Sequence, residues 1–252
     1  MNAERVAPDY GNWVSTRILY ALAAVAIFCL AISVVFLAAI AASAAFAVVF
    51  AYFAFARYAF SPRGRNVQAQ VRGLVLWHLE WDGHGGALDI GCGNAPLTIG
   101  VAKKYPDAHV TGIDYWGERW GYSQRMCEHN AAIEGVADRV TFQRASASAL
   151  PFDADSFDAA VSNLVFHEVG DAPDKRAVLK EAFRVVKKGG AFAFQDLFLL
   201  KRVYGDVDDL LAEIRSWGVA RVEFVDTSKA GFPQALRLPF MLGAIGLIYG
   251  RK

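Results

Sequence analysis

No Asp, Glu, Lys, Arg or His stands between Ile18 and Ala56, a run of 39 residues of which 15 are alanine. So long an uncharged stretch argues against a wholly soluble chain of 252 residues. The run also lacks Gly and Pro, so it carries no strong turn signal. As a single helix it would reach about 58 Å, nearly twice the roughly 30 Å of a bilayer's hydrocarbon core. Residues 1–60 are therefore read as a membrane anchor of two helices, turning near Ala38 to Ser43, where small residues replace bulky ones. A cleaved signal peptide is too short a device for this run, since its apolar core spans roughly 7 to 15 residues. Strong net charge is missing as well: the balance is +1, which speaks against a nucleic-acid partner. Cysteine is scarce, and Cys29, Cys92 and Cys127 form no C-x-x-C pair. That spacing excludes a disulfide framework and a four-ligand zinc site, and no metal is expected.

The flanks of the apolar run give its orientation. Arg17 precedes it and Arg57, Arg63, Arg65 and Arg72 follow it, and cytoplasmic ends of spans collect Lys and Arg. The larger domain is expected in the cytoplasm, with the chain integral to a membrane, the plasma membrane in a prokaryote. Tyr10 and Trp13 on one side, with Tyr52, Tyr58 and Phe60 on the other, fit interfacial aromatics.

Removing the first 56 of 252 residues leaves 196, enough for one sizeable domain, and residues 61–252 are assigned to it. An amphipathic lead-in helix is predicted over 66–79, followed by a short apolar strand, Ala87-Leu88-Asp89-Ile90. Beyond it helices at 97–105, 118–133, 173–186 and 206–217 intersperse strands at 109–113, 139–144, 157–163, 191–197 and 221–226. Such a repeat implies an α/β fold, a Rossmann-like doubly wound and mostly parallel sheet covered on both faces. The apolar run Phe240 to Tyr249 is read as a last buried strand pairing with strand 221–226, and Phe232 to Leu242 as its peripheral alternative on a membrane surface.

In such a sheet the turn after the first strand lies closest to the ligand. Here it reads Gly91-Cys92-Gly93-Asn94-Ala95-Pro96, with Asp89 before it and Asp114 ending the next strand, 25 residues on. A lone Gly-x-Gly is weak evidence, but the downstream pattern strengthens it. Leu88 to Gly93, Gly112-Ile113-Asp114, Ala149-Leu150-Pro151-Phe152, Ser156-Phe157-Asp158-Ala159, Ser162 to His167 and Phe183 to Gly190 follow in a recognisable order. Over roughly 87–200 the chain resembles the class I S-adenosylmethionine (SAM)-dependent methyltransferases, in particular the ubiquinone/menaquinone C-methyltransferase-like branch. The resemblance implies SAM as cofactor, held by Asp89, Gly91, Cys92, Gly93, Asp114, Tyr115, Ser146, Ala147 and Asn163. Asp89, Gly91 and Gly93 would surround the methionine part, Asp114 the ribose and Tyr115 the adenine. Two positions depart from the family: Ala95 stands where a third glycine is frequent, and Ser146 where an Asp is frequent near the adenine amine. Ala95 is expected to cost little with φ below zero.

A nicotinamide-linked reductase is the rival on this fold and would need Tyr four residues before Lys, which no Tyr here has. For chemistry, His167 and Glu168 follow the fourth strand at the cofactor edge, His167 as a general base with Glu168 orienting it or acting itself. Gln195 and Asp196 are candidates for substrate contact, and Trp116 and Trp120 for walls of the pocket. The anchor favours a small hydrophobic or lipid-like acceptor, because a bilayer concentrates such molecules. A soluble thiol acceptor and a non-catalytic SAM-binding membrane protein remain the alternatives, and the oligomeric state stays open.

Overall fold

The computed structural model describes residues 7–117 and 121–252. They divide into two compact units, Asn12–Val71 and the combination of residues 7–11 with Arg72–Lys252. The sequence boundary at 60/61 falls inside the smaller unit.

The smaller unit holds two apolar helices, α1 (Thr16–Ile32) and α2 (Ala39–Phe60), packed as a hairpin. The Ser15 side chain accepts the Arg17 N–H and caps α1. At the other end Ser33 stops it, its N–H reaching Cys29 O and Leu30 O and its hydroxyl donating to Leu30 O at 2.6 Å. The turn thus occupies residues 33–38, earlier than the expected 38–43, because a serine hydroxyl that takes a backbone carbonyl ends the helix there. The small residues at 38–43 instead open α2, and the Ser43 hydroxyl donates to Ala26 O of α1 at 2.8 Å. Ser61 ends α2 in extended conformation, as the residue before Pro62 requires. By length and composition α2 can cross a membrane, whereas α1 is apolar but only 17 residues long.

After α3 (Val67–His78), the larger unit is built on seven strands: β1 (Gly85–Ile90), β2 (Ala108–Asp114), β3 (Val140–Arg144), β4 (Phe157–Asn163), β5 (Val186–Asp196), β6 (Arg221–Val225) and β7 (Gly246–Arg251). Their order in the sheet is β3-β2-β1-β4-β5-β7-β6. The first five are parallel, and β7 runs antiparallel between β5 and β6. The expected pairing of the last strand with β6 is present, and so is a second one with β5. That strand is shorter than expected at its start, since residues 240–245 turn tightly: a Cβ at Gly243 would lie 2.1 Å from Arg237 O.

Helices α4 (Pro96–Lys104), α5 (Gln124–Ile133), α6 (Lys175–Val185), the single turn α7 (Lys201–Tyr204) and α8 (Val207–Ser216) link the strands. The helix expected over 118–133 is observed from Gln124, with Ser123 accepting the Met126 N–H as its cap; residues 118–120, Trp120 among them, lie outside the described residues. Strand alternation splits the core. Ala87, Val110, Val161 and Ala193 face one layer with Leu97, Val101 and Cys127. Leu88, Ile90, Phe192 and Phe194 face the other with Leu179, Phe183 and Ile214. The order of strands reverses between β1 and β4, so the carboxyl ends of those two strands frame the crevice where ligands bind in such sheets.

Candidate active site

The loop from β1 to α4 is held against the end of β2. The Gly91 and Cys92 N–H groups both donate to Ile113 O at 2.8 Å. Gly91 has φ +77, and a Cβ there would lie 2.2 Å from Val165 Cγ2, so this position admits only glycine without rearrangement. Gly93, with φ +59, donates its N–H to Asp114 Oδ2 at 2.9 Å, and Trp116 N–H donates to Oδ1 at 2.7 Å. Trp116 Nε1 returns to Gly93 O at 2.9 Å, and Cys127 Sγ lies 3.0 Å from the same oxygen. Trp116 is therefore a brace of the loop.

Ala95 adopts φ +66, where an L-residue is strained by roughly 1–2 kcal/mol. The condition under which Ala95 would cost little, a φ below zero, is not met: the chain bends left-handed to enter α4 at Pro96, and the buried alanine methyl is accommodated in the core at that cost.

Asp89 is buried and accepts a hydrogen bond from Thr98 Oγ1 at 2.6 Å, so α4 holds the carboxylate in place. Burial pushes its pKa up to about 7 against the Thr98 hydrogen bonds that pull it down. Thr98 was not foreseen; a hydroxyl in the first turn of an otherwise apolar helix is its only sign in the sequence.

Asp114 ends β2, and Tyr115 beside it is 63% exposed, with the Arg144 guanidinium 4.9 Å from its ring centre. Ser146 and Ser148 both donate to Asp171 Oδ2 at 2.8 Å, which brings an acidic group to the position where the sequence has serine for the frequent Asp. Asp171 has no motif signal; only the fold delivers it. Ala147, 8% exposed, packs in the core behind. Asn163 ends β4 and pairs in register with Gln195 on β5. Asn163 Oδ1 and both polar atoms of the Gln195 side chain are buried without hydrogen-bond partners.

His167 and Glu168 lie on a short 3₁₀ turn, Phe166–Glu168, after β4. His167 Nδ1 is 2.5 Å from Asp196 Oδ1, and its Nε2 is 3.5 Å from Glu168 Oε1. Asp196 is fully buried and also accepts the N–H groups of His167 and Leu197. Burial of the ring pulls the His167 pKa down, but the Asp196 and Glu168 carboxylates outweigh it and raise the value to about 10. The two carboxylates thus favour the imidazolium form of His167. Among the described residues no three His, Cys, Asp or Glu side chains are placed to hold a metal ion.

These groups fit SAM. A glycine turn permits close backbone approach, Asp114 keeps lone pairs beyond its two backbone donors, Tyr115 exposes a flat ring, and the orphaned Asn163 Oδ1 needs a donor.

Comparison with known proteins agrees. Residues 88–194 match the methyltransferase domain family. The chain is 31% identical over 158 residues to the O-methyltransferase rstn1 of Aspergillus nomiae, covering 55% of this chain and 66% of that protein. It is 37% identical over 102 residues to the ubiquinone/menaquinone biosynthesis C-methyltransferase UbiE of Agrobacterium fabrum, covering 38% of this chain and 37% of that one. The chain thus spans less than two thirds of either relative. Its fold is similar to that of the geranyl diphosphate C-methyltransferase of Streptomyces coelicolor A3(2), solved with Mg2+, geranyl diphosphate and S-adenosyl-L-homocysteine, at 14% identity and a TM-score of 0.55 over 74% of this chain and 81% of that one. With the strand order and the braced glycine loop, these matches make residues 88–194 similar to the methyltransferase domain family on the class I methyltransferase fold, which supports S-adenosylmethionine as the cofactor.

Proposed function

We propose that this protein transfers a methyl group from SAM to a small, hydrophobic or lipid-like acceptor, and that the α1–α2 hairpin anchors it in a membrane with the catalytic domain in the cytoplasm. The cofactor part rests on the Gly91–Gly93 loop braced by Asp114. The acceptor part rests on one observation, the concentration of exposed large apolar side chains between Ile18 and Tyr58, a surface suited to lipid. Anchored there, the enzyme meets bilayer-dissolved molecules at high local concentration.

The cofactor supplies an electrophilic methyl carbon on a sulfonium, whose sulfur keeps the electron pair of the broken bond when the acceptor attacks. The protein's part is to hold the acceptor in line and to take its proton where one must leave. His167 lies between two carboxylates that favour its charged form, which disfavours it as the proton acceptor. The assignment that follows is Glu168 as base and His167 as the cation that positions it, with Asp196 fixing the imidazolium.

Membranes carrying the protein are to be given SAM with a labelled methyl group, with Glu168→Gln and Asp114→Ala as controls, and the label followed into organic, aqueous and volatile fractions. Label in the organic fraction that both variants lose is expected. Label in the aqueous or volatile fraction would overturn the lipid-like acceptor and reduce the hairpin to an address.

A further inference from the structure

Residues 9–11, which lead in sequence into the first apolar helix, belong to the same compact unit as the cofactor loop. Asp9 meets two buried asparagines. Its N–H donates to Asn130 Oδ1 at 2.9 Å, and its carbonyl accepts from Asn130 Nδ2 at 2.9 Å and from Asn94 Nδ2 at 3.1 Å. Asn94 is the loop residue between Gly93 and Ala95. Its own backbone carbonyl accepts from Asn130 Nδ2 at 3.0 Å, and its Oδ1 accepts the N–H of Ser123, the cap of α5. Two side chains thereby tie the N-terminal segment, the cofactor loop and α5 into one network.

The residues on either side of this knot add to it. The Asp9 carboxylate accepts the Gly11 N–H at 2.9 Å, which shapes the segment as a tight turn. Tyr10 donates its hydroxyl to Glu134 Oε1 at 2.9 Å, and Arg72 lies 6.0 Å from the centre of its ring. A Cβ at Gly11 would come 2.7 Å from Tyr122 Cε1, and one at Gly93 would come 3.4 Å from Cδ2 of the same ring. The Tyr122 ring is a wedge that touches the segment with one edge and the cofactor loop with another.

We propose that residues 9–11 are a strap that holds the cofactor loop in its binding shape, with Asn94 and Asn130 as positioning residues, so that cofactor occupancy and attachment of this segment reinforce one another. The proposal rests on the assignment of SAM to the loop. Because coupling is reciprocal, whatever factor the attached strap adds to cofactor affinity, the bound cofactor must add to strap attachment.

The test uses the full-length chain in detergent, with S-adenosylhomocysteine as probe and two variants that leave the cofactor loop and α5 unaltered. Tyr10→Ala removes the bond to Glu134 and the ring under Arg72, and Gly11→Ala drives a methyl into Tyr122 from a backbone at φ +70. Each is expected to weaken probe affinity by about tenfold, within the usual range of such couplings. In the wild type the probe is expected to slow amide exchange at residues 9–11, and in the variants to slow it less by the same factor. Tyr10→Phe, which keeps the ring, is the variant to read should the others not fold, with a loss of about threefold expected from one hydrogen bond. Faster exchange of the segment with unchanged probe affinity would overturn the strap, as would a probe that leaves wild-type exchange of residues 9–11 untouched. A wild-type chain that binds no probe at all would instead overturn the cofactor assignment, and the strap with it.

Discussion

Replacing Gly91 by alanine tests the cofactor loop at its tightest point. The backbone there has φ +77, a conformation that costs an L-residue about 1–2 kcal/mol. The new methyl would also sit 2.2 and 2.4 Å from the two Cγ atoms of Val165, and overpacking of that kind costs about 1–3 kcal/mol. Together Gly91→Ala should destabilise the larger unit by about 2–5 kcal/mol, and at about 2–4 °C for each kcal/mol the midpoint should fall by roughly 5–20 °C. The two contributions separate in a cycle with Val165→Ala, which removes the contact and leaves the backbone strain. The double variant should recover about 1–3 kcal/mol relative to the sum of the single ones. Near-ultraviolet circular dichroism of the detergent-solubilised chain reports the larger unit's aromatic packing. A cost below about 1 kcal/mol for Gly91→Ala, or no coupling to Val165, would refute the geometry of the loop.

Ala95→Gly relieves a left-handed alanine worth about 1–2 kcal/mol and gives up one buried methyl worth about 0.8 kcal/mol, so thermal unfolding should show it neutral or slightly stabilised. For His167→Gln, the sign follows from a folded-state pKa near 10, above the ordinary 6.5: the native state binds the extra proton. The stability lost in this variant should be largest below about pH 6.5 and should shrink as pH rises through 10, read from denaturant midpoints across that window. Asp89 runs the other way from most carboxylates, since its pKa of about 7 lies above 3.8 and the native state again holds the extra proton. Wild-type stability should therefore fall between about pH 4 and 7 through this group, and Asp89→Asn, compared with wild type over the same range, should remove that fall.

The alternation of apolar strands with amphipathic helices made the sheet legible, and the Gly-x-Gly turn with Asp89 and Asp114 located the ligand edge, because period and turn chemistry are local properties. What local pattern does not carry is partner choice. Ser33 rather than the small residues 38–43 ends α1, since a hydroxyl finding a carbonyl three residues back leaves no trace in hydropathy. Ala95 looked permissive because sequence does not state φ, which the entry into α4 fixes. Asp171 and Thr98 join the candidate site only through the fold. His167 was readable as a residue at the right edge but not as the partner of Asp196, which arrives from another strand.

The most direct measurement is equilibrium binding of S-adenosylhomocysteine to the purified chain, with Asp114→Ala in parallel. One saturable site is expected in the wild type. On the proposed assignment of the ribose hydroxyls to Asp114, losing a charged hydrogen bond costs about 1.5–3 kcal/mol, so the variant should bind roughly 10 to 150 times more weakly. Absence of saturable binding to a folded wild-type chain, or equal affinity of the Asp114→Ala variant, would contradict a cofactor held at this loop.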